Sequence, residues 1–178
     1  RRAAVAFIFV TLTLDVLSMG VVIPVLPKLV ASLTDGAQSD AVRIGGLLGL
    51  VWAVMQFLVS PIQGALSDRF GRRPVLLVSM TGLGLDYILM ALAPNLAWLF
   101  VARAISGATA ASFGTANAYI ADITPPEKRA AAFGLMGAAF GIGFVLGPAL
   151  GGLAGAYDPR LPFWVAAALT LVNATYGL

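Results

Sequence analysis

Long apolar segments separated by short polar breaks constrain this chain more than any other feature of its sequence. Six segments are predicted, at about 3–25, 44–66, 75–93, 96–120, 130–156 and 163–178. Most of them reach the roughly 20 residues that a helix needs to cross a hydrocarbon layer of about 30 Å. The last has only about 16 residues, so we expect the sequence to stop inside a helix.

The composition excludes a soluble domain of this size. Of the 178 residues, 60% are hydrophobic and 11% are charged, and the mean hydropathy is +0.93. The net charge of +3 indicates anionic lipid headgroups as neighbours, not nucleic acid. Because Cys and His are absent, thiol chemistry, most transition-metal sites and the commonest catalytic base are excluded. We therefore predict an all-α polytopic membrane protein with six transmembrane helices, not an enzyme.

The densest cluster of charge lies at 64–74, between the second and third apolar segments. We interpret it as a tight turn at a membrane surface, in which Gly71 allows the chain to reverse. A glycine one helical turn before Asp68 lets a neighbouring helix approach the carboxylate. The arginines can pair with that carboxylate, with a helix C-terminus or with lipid phosphates. The small and charged residues of this turn are Gly64, Asp68, Arg69, Gly71, Arg72 and Arg73.

Lysine and arginine residues predict a cytoplasmic N-terminus. With that orientation the cytoplasmic side carries seven of them and the outer side three, as the positive-inside rule requires. The first apolar segment is too long for a signal peptide, so we expect it to remain in the membrane. The seven are Arg1, Arg2, Arg69, Arg72, Arg73, Lys128 and Arg129, and the three are Lys28, Arg43 and Arg160.

Three charged residues interrupt the apolar segments: Asp15, Asp86 and Arg103. A charge at the centre of a transmembrane helix costs about 2.5–3.5 kcal/mol, so such residues usually face a cavity or a partner. We favour a functional role for Asp15 and Arg103. For Asp86, a functional role and a structural ion pair with Arg103 are equally compatible with the sequence. Gln56, midway along the second segment, is an uncharged and weaker candidate.

A second polar break precedes the fifth segment and contains Asp122 and Arg129. A charge pair there could brace the loop or take part in a gate, and both interpretations stay open.

Glycines dominate the fifth segment. At 100° per residue they are predicted to share one face, where another helix could approach closely, and Pro148 could bend the helix. The predicted face consists of Gly134, Gly137, Gly141, Gly147, Gly151 and Gly155.

The pattern Gly-x-x-x-Asp-Arg-x-Gly-Arg-Arg at 64–73 closely resembles the signature loop between the second and third helices of the major facilitator superfamily. Residues 15–27 are similar to the first-helix signature of its drug/proton antiporters. Residues 103–107 resemble the fourth-helix motif whose arginine is linked to proton transfer. Residues 143–152 are similar to the motif that distinguishes antiporters. The runs 66–77 and 118–124 and the Asp86-Tyr87 pair most resemble the tetracycline/proton antiporters.

This resemblance implies a role for each group of residues. Proton or substrate handling falls to Asp15, Gln56, Asp86 and Arg103. A cytoplasmic gate is formed by Gly64, Asp68, Arg69, Gly71, Arg72, Arg73, Asp122 and Arg129, and the helix-packing motif of antiporters by Gly143, Gly147, Pro148, Gly151 and Gly152.

The family is built from two six-helix halves, so the resemblance implies an N-terminal half whose C-terminal half is absent from this sequence. The implied activity is proton-coupled export of tetracycline or a related amphipathic drug across a bacterial inner membrane. The implied partners are the drug, protons, membrane lipids and the C-terminal half. No cofactor is implied, although the drug often travels as a divalent-metal chelate. Two alternatives remain: a carrier for a sugar or other metabolite, and a six-helix structural module that transports nothing alone.

Overall fold

A computed structural model of the protein describes residues 2–34, 38–110 and 112–177. Within these ranges the chain forms eight α-helices and no strand. They are α1 (Arg2–Val22), α2 (Leu26–Ser32), α3 (Gln38–Phe70), α4 (Arg72–Ala91), α5 (Leu96–Thr109), α6 (Ser112–Ile123), α7 (Pro126–Tyr157) and α8 (Leu161–Gly177).

The chain breaks its helices at the end of the first predicted segment and within the fourth. The first segment corresponds to α1, and α2 follows it after a break at 23–25; Pro27 lies in the first turn of α2, where its missing N–H is tolerated. The fourth segment contains α5, which ends at Thr109, and α6. Hydrophobicity alone does not report such breaks, because the residues on both sides are equally apolar.

Five stretches are long and apolar enough to span a membrane. They are Ile8–Ser32, Ser39–Phe70, Arg72–Ala91, Leu96–Ile123 and Pro126–Tyr157, and the shorter apolar helix α8 follows them. The protein is therefore an all-α, multi-pass membrane protein.

The turn predicted at 64–74 is almost entirely helical. α3 continues to Phe70 and α4 begins at Arg72, so Gly71 alone connects them, with a φ of 96° that side chains strongly disfavour. Gly64 differs from its predicted role. It is exposed, and a Cβ atom built there would meet nothing within 4 Å in the described part of the chain.

The helices form three main pairs: α1 with α7, α3 with α5, and α4 with α8. Two separate apolar clusters make up the core, one around Leu29 and Phe163 and one around Leu12 and Met136. Buried polar residues lie between the two clusters. They are Asp15 on α1, Ser79 on α4 and Ser106 on α5. A polar layer therefore lies at mid-depth in an otherwise apolar bundle.

The α1–α7 pair makes the closest helix contact. A Cβ atom on Gly147 would lie 2.6 Å from the Cα atom of Gly20, so the two backbones touch. The buried glycines on α7 are four residues apart: Gly143, Gly147, Gly151 and Gly155. We call this row and the α1 face that it contacts the glycine seam.

The seam corrects the predicted glycine face. Gly134, Gly137 and Gly141 are exposed, with open space where a Cβ atom would be, and Gly143 takes their place in the contact. Gly152 is also exposed and open. The helix that packs on the seam is α1 of this same chain.

We expect Gly147→Ala to destabilise the protein by about 1–3 kcal/mol, the usual cost of overpacking, because the new methyl group would collide with the α1 backbone. Gly137→Ala on the same helix is the matched control, since its methyl group enters open space and improves helix propensity by roughly 0.5–1 kcal/mol. Thermal unfolding of the purified protein in detergent measures both. Equal midpoints for the two variants would contradict the seam.

Candidate functional site

A cavity of about 150 Å³ lies among α1, α3, α4 and α5. Its apolar walls include Met19, Trp52 and Leu83. Its polar walls are Asp15, Ser79, Tyr87, Arg103, Ser106 and Thr109. We call it the central cavity. Mostly apolar walls with a few polar groups are typical of small-molecule sites.

Two of the four residues predicted to handle protons or substrate line this cavity, and a third, Asp86, is buried beyond its wall. Asp15 is 2% exposed and lines it from α1, and Arg103 lines it from α5. Asp86 is completely buried on α4. All three charges act electrostatically on the buried phenol of Tyr87, which places them around one side chain. The structure thus brings residues that are far apart in sequence into one cluster of ionisable groups.

Asp86 sits deeper than the cavity wall. Arg103 is the opposite charge that acts on its carboxylate, and the Ser106 hydroxyl lies close by. Neither carboxylate oxygen forms a hydrogen bond of ordinary geometry with any described residue. A buried carboxylate without such bonds carries a high desolvation cost when it is ionised.

The hydrogen-bond donors of the Arg103 guanidinium are only partly satisfied in this arrangement. One terminal nitrogen, Nη2, donates to the Met90 sulfur at 3.3 Å, which is a weak acceptor. The buried Nε–H has no hydrogen-bond partner within the described residues. The guanidinium therefore keeps a buried N–H donor without a partner in the described part of the chain.

Gln56 is separate from this cluster and has a structural contact. Its side-chain Nε2 donates to the backbone carbonyl of Ala110 at 3.1 Å, and Gln63 on the same helix donates to the carbonyl of Ala108. Both carbonyls belong to the end of α5, where the helix leaves them without intrahelical partners. The two α3 glutamines therefore bind the end of α5 to α3. Sequence reasoning missed Gln63, whose only signal is its position two helical turns after Gln56.

The charged residues around Gly71 form a second cluster, which we call the Arg72 clamp. Arg72 Nη1 lies 2.5 Å from Asp68 Oδ1, and Arg72 Nε lies 3.0 Å from Asp122 Oδ2. Arg72 Nη1 also donates to the Ser67 hydroxyl at 3.1 Å. One guanidinium thus connects the end of α3, the start of α4 and the end of α6.

The other predicted gate residues have separate partners. Arg129 donates to the carbonyls of Thr124 and Ala121, at 3.2 and 3.0 Å, and thereby braces the end of α6. Asp122 pairs with Arg72, so an Asp122–Arg129 pair is not formed. Arg73 donates to the Gly177 carbonyl at the end of α8, at 2.8 Å. The Arg69 guanidinium lies 5.3 Å from the centre of the Phe70 ring.

Known proteins resemble this chain over nearly its whole length. The sequence model of the Major Facilitator Superfamily matches residues 8–178. The class C tetracycline resistance protein of Escherichia coli is 49% identical over 175 residues, covering 98% of this chain and 43% of that protein. The class B protein of Escherichia coli is 42% identical over 160 residues, covering 90% of this chain and 39% of that protein.

A solved structure agrees with these sequence matches. The crystal structure of the human organic anion transporter MFSD10 superposes with a TM-score of 0.86 at 28% identity, covering 99% of this chain and 46% of that one. The chain spans less than half the length of each of these relatives. The family match and the helical fold establish that the chain belongs to the major facilitator superfamily, where it corresponds to the N-terminal half.

Proposed function

We propose that this chain is the N-terminal half of a proton-coupled antiporter that exports tetracycline or a related amphipathic drug. The observation that carries the proposal is that Arg103 and the buried Asp15 line one cavity of mostly apolar walls, with the carboxylate of Asp86 buried beyond its wall. The similarity to tetracycline resistance proteins, at 49% and 42% identity, supports the choice of drug.

The buried carboxylates supply the coupling. A protonated carboxylate is neutral and stable in the apolar bundle, while an ionised one needs a nearby cation such as Arg103. The drug enters from the cytoplasmic side and competes with the proton for the same cluster, so its binding releases a proton inward. When the cavity opens outward, the drug leaves and a carboxylate binds a proton from outside. Only the drug-bound and the proton-bound forms change between the inward-open and outward-open states. Transport is therefore an exchange of drug for proton.

The Arg72 clamp is the proposed cytoplasmic gate element. Because Arg72 begins α4 and its three partners are Ser67 and Asp68 on α3 and Asp122 on α6, it fixes these helix ends relative to one another. The proposed orientation places this end and the N-terminus in the cytoplasm of a bacterium, with the chain in the inner membrane. The C-terminal six-helix half would supply the opposite wall of the cavity, and rocking of one half against the other would give alternating access.

Export of an organic anion is a second candidate, favoured by one observation. That observation is the buried Nε–H of Arg103 at the central cavity, which has no partner within the described residues. The choice of an organic anion agrees with one of the solved structures that superpose, an organic anion transporter. In that case the guanidinium would bind substrate directly, as a fork that matches a carboxylate.

We expect Asp15→Asn and Asp86→Asn each to abolish tetracycline uptake driven by a pH gradient in inverted membrane vesicles, because an amide cannot carry the proton. The measurement uses the full-length transporter. Asp40→Asn, an exposed residue in the first turn of α3, is the matched control and should transport normally.

Each other outcome has a definite meaning. Uptake unaffected by either variant would contradict proton coupling through these carboxylates. No tetracycline uptake by a well-folded parent, with uptake of a fluorescent organic anion that Arg103→Gln abolishes, would establish the second candidate instead.

We expect Arg72→Lys to lower the transport rate by up to roughly 5-fold, the usual effect of losing exposed ion pairs, because an ammonium group cannot reach both carboxylates as a fork does. Arg69→Lys tests the same change at an exposed arginine whose described contact is an aromatic ring, and it should lower the rate far less. Equal losses in the same vesicle assay would show that only the positive charge of this end matters.

A further inference from the structure

A second cavity, of about 390 Å³, lies between the gate-end halves of α3 and α4. We call it the gate-end groove. Its walls are mostly apolar and include Ile62 and Phe70 of α3 and Val75 and Val78 of α4. The volume falls within the roughly 300–1,000 Å³ typical of small-molecule sites. No other described part of this chain covers the groove, and the Val78 side chain is 68% exposed.

The groove and the central cavity follow one another along α3. The central cavity contacts residues 45–52 of that helix and the groove contacts residues 59–70. Ser79 and Thr109 line both cavities. The wall between them is therefore thin and contains polar side chains.

Thr109 fills this wall and is held there by the end of α5. A Cβ atom on Gly82 would lie 2.5 Å from Thr109 Cγ2, so the threonine is seated directly on α4. Its hydroxyl donates to the Ile105 carbonyl at 3.0 Å. The neighbouring Ala108 and Ala110 carbonyls accept from Gln63 and Gln56. Because α5 ends at Thr109, this wall is held by two hydrogen bonds donated by side-chain amides. It lacks a continuous series of helical backbone hydrogen bonds.

Gln63 also presents an unused acceptor. Its Nε2 is occupied by the Ala108 carbonyl, whereas its Oε1 is buried without a hydrogen-bond partner in the described residues. Gln63 lines the groove. A buried amide oxygen without a donor carries a desolvation cost, and a ligand that donates a hydrogen bond removes this cost.

We propose that the gate-end groove is a loading site for the amphipathic substrate on its way to the central cavity. The inference rests on the proposed export function, since an exporter takes its substrate from the gate end. The occupant is an amphipathic molecule whose apolar body lies against Val75 and Val78 and whose hydroxyl or amide donates to Gln63 Oε1. Displacement of Thr109 from Gly82 then admits it to the central cavity. A lipid acyl chain fits the apolar walls but has no donor for Gln63.

Thiol labelling tests this proposal cleanly because the chain has no cysteine. In the full-length transporter, made cysteine-free elsewhere, three single variants are compared: Val78→Cys in the groove, Met19→Cys in the central cavity, and Val172→Cys on the exposed face of α8 as control. The rate of reaction with a membrane-permeant maleimide is measured with and without tetracycline. We expect tetracycline to slow labelling of the first two variants and not of the third.

Two further substitutions test the amide acceptor, each combined with Val78→Cys. Gln63→Leu removes the acceptor, and we expect it to weaken tetracycline protection of the groove cysteine by roughly 3- to 10-fold, the usual effect of one hydrogen bond. Gln63→Glu keeps acceptor oxygens but loses the donor to Ala108, and it should retain protection. Equal protection in both would overturn the role of Gln63 and with it the loading site.

The remaining outcomes are distinguishable. Protection of Met19→Cys alone would overturn the loading site and leave the export proposal standing. Protection of neither cysteine would overturn both proposals. Slow labelling of Val78→Cys in bilayers that becomes fast in detergent, without any effect of tetracycline, would identify the occupant as a lipid and would also overturn the inference.

Discussion

Burial of charged groups in an apolar bundle is the constraint on which the rest of the structure depends. Asp15 and Asp86 lie within helices that are otherwise hydrophobic, and Arg103 is the cation that acts on Asp86. Each such group costs about 2.5–3.5 kcal/mol in a membrane unless it is neutralised or faces a cavity. The structure meets the cost by placing these groups together at mid-depth, between two apolar clusters. Carboxylates in such a layer have a high free energy when ionised and a low one when protonated, which suits them to carry protons.

Helix contacts and helix ends place this layer. The glycine seam fixes α1, which carries Asp15, directly against α7 through backbone contact at Gly20 and Gly147. The α5 end just beyond Arg103 is held by two glutamines of α3. At the gate end, Arg72 joins α3, α4 and α6. The seam is a contact between two backbones, whereas the α5 end is held to α3 by side-chain hydrogen bonds, so the proposed change of access would involve the α5 end before the seam.

The sequence predicts the membrane-spanning class well because hydrophobicity reports directly on the lipid environment. It also identifies the family, since the motif at 64–73 carries enough fixed residues to be specific. It predicts the local Asp68–Arg72 pair but not the contacts between residues that are far apart in the sequence. The glycine face was wrong because α1 follows the row spaced by four residues, which winds slowly around α7, so Gly143 is buried and Gly134 is not. The Gln63–Ala108 bond and the Arg72–Asp122 pair join residues 45 and 50 positions apart, and no local pattern reports such contacts.

The measurement that tests the central claim most directly is the proton balance of drug binding by the full-length transporter in weakly buffered detergent solution. If the buried carboxylates exchange a proton for the drug, adding tetracycline acidifies the solution, and Asp15→Asn or Asp86→Asn reduces that acidification while some drug still binds. Drug binding with no release of protons, or the same release from both variants as from the parent protein, would contradict the account.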